Sequence, residues 1–238
     1  MRQQSDGGPF FLGVIPARGG SKGIPGKNLK EVGGVPLLIR AIRSAVESTR
    51  LSAFLVSTDD RLLLRKAVEA GAPAPFVRPA ELSADGTPGM AVLLHASKFH
   101  EEETGVLPDY VVCLQPTSPF RTGEHIDMAI ALILETGADA VVSVTESPFN
   151  PAWLQTVSEN GALSPLHPDL ALTATRQEAR KTFLLNGAVY VIRTRTLIEK
   201  GTWVGADVRA LLMDAESSVD VDTPLDLAFA SFLAEKKI

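Results

Sequence analysis

The chain has 238 residues, of which 45% are apolar and 21% charged, enough for one large domain with a substantial core. A formal net charge of −5 and a pI near 5.4 argue against a nucleic-acid or membrane-surface protein. Cys113 is the single cysteine, which excludes an intramolecular disulfide and any cysteine-built metal site. The N-terminus (Met1 to Pro9) is polar and glycine-rich, unlike a signal peptide, and no apolar stretch approaches ~18 residues. The expectation is a soluble cytoplasmic protein with neither nucleic acid nor membrane as a partner.

Along the chain, short apolar runs alternate with helical patterns. Strands are predicted over Phe10–Pro16, Ala53–Thr58, Pro75–Arg78, Tyr110–Gln115 and Ala140–Thr145, and helices over Leu37–Ser48, Arg61–Ala70, Gly89–His100 and Glu124–Glu135. In the last helix Ile126, Ala129, Ile130 and Ile133 recur at helical spacing and define one apolar face. Alternation of this kind implies crossover units: an α/β fold with a mostly parallel sheet and helices on both faces. The pattern breaks between Glu146 and Thr182, a stretch rich in Pro, Ser and Thr. It reads as an inserted hairpin with irregular loops, turning at Glu159-Asn160-Gly161. Strands resume at Gly187–Arg193 and Ala210–Met213, and a helix from about Pro224 to Lys236 closes a single domain over residues 1–238.

The segment from Val14 to Asn28 leaves the first strand carrying four glycines and three cations, Arg18, Lys22 and Lys27. Glycines let backbone N–H groups approach an anion, and the cations add charge around the same place, as a triphosphate requires. A glycine-rich connection with solvated cations is the simpler alternative. The segment is not a Walker A loop, because Ser21 stands where its first glycine belongs and Asn28 where Ser or Thr would bind magnesium. Its spacing also fails the dinucleotide fingerprint. In a parallel sheet ligands bind beyond the carboxyl ends of the strands, where this loop emerges.

Ser218 to Asp226 is the second informative segment. If it is extended, Asp220 and Asp222 share a side while Val219 and Val221 pack the other way. Two adjacent carboxylates suit a hard divalent ion that also binds substrate phosphates. A second reading makes Asp222 the N-cap of the closing helix and Asp220 a solvated neighbour. Asp226 is expected to face outward from the first turn, where its charge suits the helix dipole. Gln115, in Leu114-Gln115-Pro116-Thr117-Ser118-Pro119, offers a donor and an acceptor for base or sugar recognition, although turn chemistry also favours this sequence. Ser57-Thr58-Asp59-Asp60 reads as a structural helix start. His95, His100, His125 and His167 show no metal-ligand spacing, and nothing identifies a nucleophile, which favours direct displacement.

Together these segments resemble the acylneuraminate cytidylyltransferase family. The resemblance runs from Val14 to Leu227 in seven collinear blocks: Ile15–Gly23 with Lys27-Asn28, Val56–Asp59, Arg78–Leu82, Leu114–Pro119 with Arg121-Thr122-Gly123, Arg176-Gln177, Asn186–Tyr190 and Asp220–Asp222. It implies that the loop Ala17, Arg18, Gly19, Ser21, Lys22 and Lys27 holds the phosphates of CTP, with Arg18, Lys22 and Lys27 serving catalysis. Asn28 and Arg78 would lie near the cytidine, and Asp85 in the turn that cradles the cytosine. Gln115, Pro116, Thr117, Arg176, Gln177 and Asn186 would line the sugar side, and Asp220 and Asp222 would hold Mg2+. The resemblance also implies a homodimer formed through the excursion at about residues 146–182.

Sialic-acid-activating members resembling this chain have a lysine at the place of Trp153 and a basic residue before Asn-Gly-Ala, where Leu184 and Leu185 stand here. The less charged sugar side favours a related nine-carbon acid such as legionaminic acid. The implied reaction is attack of the sugar's anomeric hydroxyl on the α-phosphorus of CTP. Rival readings are a CMP-Kdo synthetase, a glycosyltransferase of similar fold, and a silent nucleotide-binding module.

Overall fold

Alternate residues of the first strand enter two different cores: Phe11 and Ile15 one, Leu12 and Val14 the other. Such a strand must be covered on both faces, and the fold follows from that. The computed structural model describes residues 7–84, 86–170 and 181–236.

In chain order the first half holds β1 (Phe11–Pro16), β2 (Glu31–Val32), β3 (Val35–Pro36), α1 (Leu37–Glu47), β4 (Ala53–Ser57), α2 (Arg61–Glu69) and α3 (Gly89–Thr104). Next come β5 (Tyr110–Cys113), α4 (Gly123–Thr136), β6 (Ala140–Glu146), β7 (Gln155–Val157) and β8 (Leu163–Pro165). The chain finishes with β9 (Phe183–Arg193), α5 (Thr194–Lys200), β10 (Val208–Leu212) and α6 (Pro224–Lys236). The main sheet has the order β10-β6-β9-β5-β1-β4. Its pairs are parallel except those of β9, which runs antiparallel to both β5 and β6. The mostly parallel α/β sheet expected from the sequence is therefore present.

Helices α1 and α4 cover one face through Leu38, Ala41 and Ile42 and through Ile126, Ile130 and Ile133. Helices α3 and α5 cover the other through Leu93, Ala96 and Leu197. The apolar face read along α4 is fully buried. That helix starts on a capping box between Thr122 and His125 and stops at Gly137, in a left-handed conformation. No helix among the described residues is long and apolar enough to cross a membrane.

The strand expected over Pro75–Arg78 does not form. Only one bridge joins Val77 to Thr58, with Pro73 accepting from Val56 N–H and Arg78 N–H donating to Thr58. Pro73, Pro75 and Pro79 lack the N–H groups a ladder needs, so the segment covers the edge of β4 without extending the sheet. The small β2–β3 hairpin turns on Gly33 and Gly34, both at positive φ. The hairpin expected in the excursion is β7–β8, turning near Gly161.

A third, smaller core joins Ile24 of the glycine-rich loop, Val221 of the acidic segment, Leu37, Phe120 and Ala230. It fixes the loop and the acids relative to each other.

Candidate active site

The carboxyl ends of β1, β4, β5, β6 and β10 lie at one edge of the sheet, and reversed β9 brings its first residues to the same edge. The glycine-rich loop is pinned there by backbone and side chain. Ala17 N–H donates to Ser57 O at 2.9 Å, and the buried Asn28 donates its amide N–H to Arg18 O at 2.8 Å. Gly19 N–H donates to Asp59 Oδ1 at 3.0 Å, and the Arg78 guanidinium stands 3.6 Å from the same oxygen. A Cβ on Gly19 would lie 2.7 Å from Asp60 Oδ2, so the close approach requires glycine.

Asp60 caps α2 through Leu62 and Leu63 N–H, as the structural reading of Ser57 to Asp60 expects. Asp59 has a second role that reading missed, since it anchors the loop itself. Arg78 is buried, and desolvation lowers its pKa despite Asp59. Its side chain is engaged by Ser83 and Asp59, and the amide of Asn28 by the loop backbone. Arg18 and Ser21 are half-buried and Lys22 is exposed.

The acidic segment closes onto this loop. Lys27 Nζ donates to Asp222 Oδ1 at 2.7 Å. A Cβ on Gly23 would sit 2.4 Å from the Asp222 carbonyl oxygen, so loop and segment touch backbone to backbone. Val221 N–H donates to Thr117 O at 2.9 Å, tying the segment to the loop after β5, while the Val221 side chain is buried as expected. Desolvation by surrounding protein raises the pKa of Asp220 even though the residue surface is exposed; the Thr117 hydroxyl opposes this, Asp222 adds to it, Lys27 opposes and Asp226 adds.

Asp226 lies in the first turn of α6 as expected, partly exposed, with its carboxylate turned back onto the cap. Its Oδ2 accepts from Asp222 N–H, Thr223 N–H and the Thr223 hydroxyl, and Thr223 Oγ1 accepts from Asp226 N–H. This is a capping box built on Thr223, so Asp222 is not the N-cap and its carboxylate is left to Lys27. The oxygens of Asp220 and Asp222 are hard donors. No group of three or more His, Cys, Asp or Glu converges as a metal cage among the described residues. A hard cation at this pair would complete its shell with ligand oxygens or water.

On the neighbouring side, Gln115 and Thr117 are half-buried and Pro116 is buried. Gln115 packs beside Gly187, whose added Cβ would lie 3.6 Å from the Gln115 amide. Asn186 is buried and heavily engaged. Its Oδ1 accepts from Ser143 Oγ and Ala188 N–H, and its Nδ2 donates to Ser218 Oγ at 2.9 Å. It therefore joins β6, β9 and the acidic segment. Arg121 carries the carbonyls of Gln115 and Ala188 on Nη1, at 2.7 and 2.9 Å. Its position in a motif gave no sign of that bracing role. Asp85, Arg176 and Gln177 lie outside the described residues.

The family model described as Cytidylyltransferase matches residues 12–222. The chain is 34% identical to a CMP-N,N'-diacetyllegionaminic acid synthase of Legionella pneumophila over 94% of this chain and 96% of that protein. It is 34% identical to N-acylneuraminate cytidylyltransferase A of Danio rerio over 90% of this chain, which spans about half of that protein (48%). Among solved structures, a CMP:2-keto-3-deoxy-manno-octonic acid synthetase complexed with CTP shares the fold, with a TM-score of 0.73, 18% identity, and coverage of 96% of this chain and 100% of that one. A glycine-rich cationic loop on the first strand, closed by a distant acidic segment, thus occurs here in a chain that belongs to the cytidylyltransferase family.

Proposed function

We propose that this enzyme activates a nine-carbon 2-keto sugar acid of sialic or legionaminic type with CTP, releasing pyrophosphate and forming the CMP-sugar. The observation that carries the reading is the contact of Lys27 with Asp222. It gathers a phosphate-type loop and a carboxylate pair at one sheet edge, beside Gln115 and Thr117. The anomeric hydroxyl attacks the α-phosphorus of CTP, the bond to the β-phosphate oxygen breaks, pyrophosphate departs, and the hydroxyl proton passes to solvent. Such transfer rests on positioning and charge stabilisation. Arg18, Ser21, Lys22 and Lys27, with the N–H groups of the loop, bind the phosphates and neutralise charge gathering on the leaving group.

Asp220 and Asp222 are the residues that would hold Mg2+. Their donor chemistry fits, since both offer hard carboxylate oxygens; the pKa of Asp220 is raised chiefly by desolvation and further by Asp222. Bound there, the ion would supply neutralisation of the phosphate and acidification of the attacking hydroxyl. The legionaminic assignment is supported by the exposed Leu184 and Leu185 at the start of β9 and by the name of the Legionella relative. A homodimer through the excursion is supported by the apolar side chains it exposes, among them Phe149, Trp153, Val157 and Leu163. Cytoplasmic residence is supported by the need for CTP.

Pyrophosphate release by the pure protein with magnesium and CTP tests the reading, with N-acetylneuraminate, N,N'-diacetyllegionaminate, pseudaminate and Kdo as parallel acceptors. Release is expected with a nine-carbon acid, fastest with the legionaminate. Release with Kdo alone would replace the reading by the Kdo one, and silence across the panel would remove it.

A further inference from the structure

A cavity of about 340 Å3 opens between α1, the segment 119–122 and the last turns of α6. Its walls include Arg40, Arg43, Ser44, Glu47, Phe120 and Arg121, and none of its lining residues belongs to the glycine-rich loop or the acidic segment. Arg40, Arg43, Ser44 and Glu47 follow helical spacing, so one stripe of α1 faces it. Three guanidiniums thus meet one carboxylate.

The charge is held there against its own cost. Arg121 is only 4% exposed, and no carboxylate among the described residues lies in ion-pair range of it. Its partners are neutral: Ser44 Oγ at 3.1 Å and the carbonyls of Gln115 and Ala188; its Nη2 has none. Burial pushes its pKa down to about 10, and burial followed by the neighbouring Arg43 lowers that of Arg40. A buried cation without a counter-charge is destabilising unless an anion joins it. Arg43 stands exposed at the mouth, and its side chain makes no hydrogen bond or ion pair to any described residue. The volume exceeds that of a single phosphate, and forked guanidiniums match phosphate oxygens.

We infer that this cavity is a second anion site, distinct from the nucleotide loop, that takes a small di- or polyphosphate. The two inner arginines also brace the acceptor side: Arg121 through Gln115 O and Ala188 O, Arg40 through Pro119 O at 3.4 Å. An anion drawn onto them changes the tension on the loop 115–119. Pyrophosphate is the product of the proposed reaction, so regulation through this route rests on that reading, whereas the site itself does not.

The test is calorimetric titration of pyrophosphate into the full chain carrying Lys22→Ala and Lys27→Ala, which disables the nucleotide loop. One equivalent is expected to bind. Adding Arg43→Glu is expected to weaken it at least tenfold, and Arg43→Lys to retain most of it. Parallel arms with orthophosphate and CTP separate a free phosphate from a nucleotide as the source. Loss of all pyrophosphate binding in the loop variant, or indifference to Arg43→Glu with the fold intact by circular dichroism, would overturn the site. Silence in the acceptor panel beside a positive titration would remove the proposed reaction and leave the site standing.

Discussion

Lys27 and Asp222, 195 residues apart in the chain, meet at 2.7 Å. The Lys27 side chain is largely covered, at 14% exposure, while that of Asp222 keeps 67%. The lysine is thus held in place and the carboxylate remains reachable from the cleft. An exposed pair of this kind adds little to folding stability, less than about 1 kcal/mol. Its value lies in fixing the distance between the glycine-rich loop and the acids. Asp222→Asn is expected to lower kcat on the order of 100-fold, as removal of one charge stabiliser does. Thermal unfolding of the variant should match the wild type. A variant with full pyrophosphate release would remove Asp222 from the reaction.

Gly23 sets the same junction sterically, because a Cβ there would come 2.4 Å from the Asp222 carbonyl oxygen. Gly23→Ala must push the acidic segment away from the loop, at a cost of about 1–3 kcal/mol. The expected kinetic signature is a raised KM for CTP together with a lowered kcat. Gly20→Ala is the control, since its Cβ meets open space. Equal behaviour of the two variants would contradict the backbone contact as the cause.

Periodicity made much of this fold legible. The buried face of α4 and the doubly covered β1 both follow from apolar spacing alone. The reversal of β9 did not, because a strand buried on both faces carries the same pattern in either direction. Pro75–Arg78 misled because aromatic and branched residues suggested a strand where the flanking prolines withhold donors. In the site, the loop and the acid pair were legible as composition, but their meeting was not. Residue type also could not separate bracing from binding. Asn186 carries the polar groups of a ligand-contacting residue, yet the structure engages it with protein partners.

That distinction can be measured at Asn186. Asn186→Leu keeps the volume and strips partners from Ser143 Oγ, Ser218 Oγ and Ala188 N–H. Leaving buried polar groups unsatisfied is expected to cost about 2 kcal/mol in urea unfolding. A residue that only touches the sugar would instead raise the acceptor KM with stability unchanged, and that result would reverse the bracing assignment.

The Thr223–Asp226 box gives a pH-dependent prediction. Burial pushes the Asp226 carboxyl upward, but hydrogen bonds from Thr223 and Asp222 N–H outweigh it and hold the group below the usual carboxylate range. A depressed folded-state value means stabilisation that is complete above the unfolded pKa and lost as pH falls through the folded one. Asp226→Ala should therefore be less stable by about 1 kcal/mol at neutral pH. The deficit should narrow on acidification below the ordinary carboxylate range. A deficit that stays constant through that range would show packing, not the charge, to be its source.

Asp220 is the opposite case, and it separates stability from activity. Desolvation, then Asp222 and Asp226, raise its pKa against the pull of Thr117 and Lys27. A carboxyl raised in the folded state binds its proton more tightly there than when unfolded. Its contribution is therefore favourable at low pH and lost as pH climbs from the unfolded to the folded value. At neutral pH the ionised group works against the fold, so Asp220→Asn should raise the urea midpoint while abolishing most turnover. Asp222→Asn relieves part of the same repulsion and should move the acid limb of the wild-type rate profile to lower pH in its residual activity. Loss of stability in Asp220→Asn at neutral pH would mean that Thr117 outweighs the neighbouring carboxylates, and the strained-carboxylate account of this pair would fall with it.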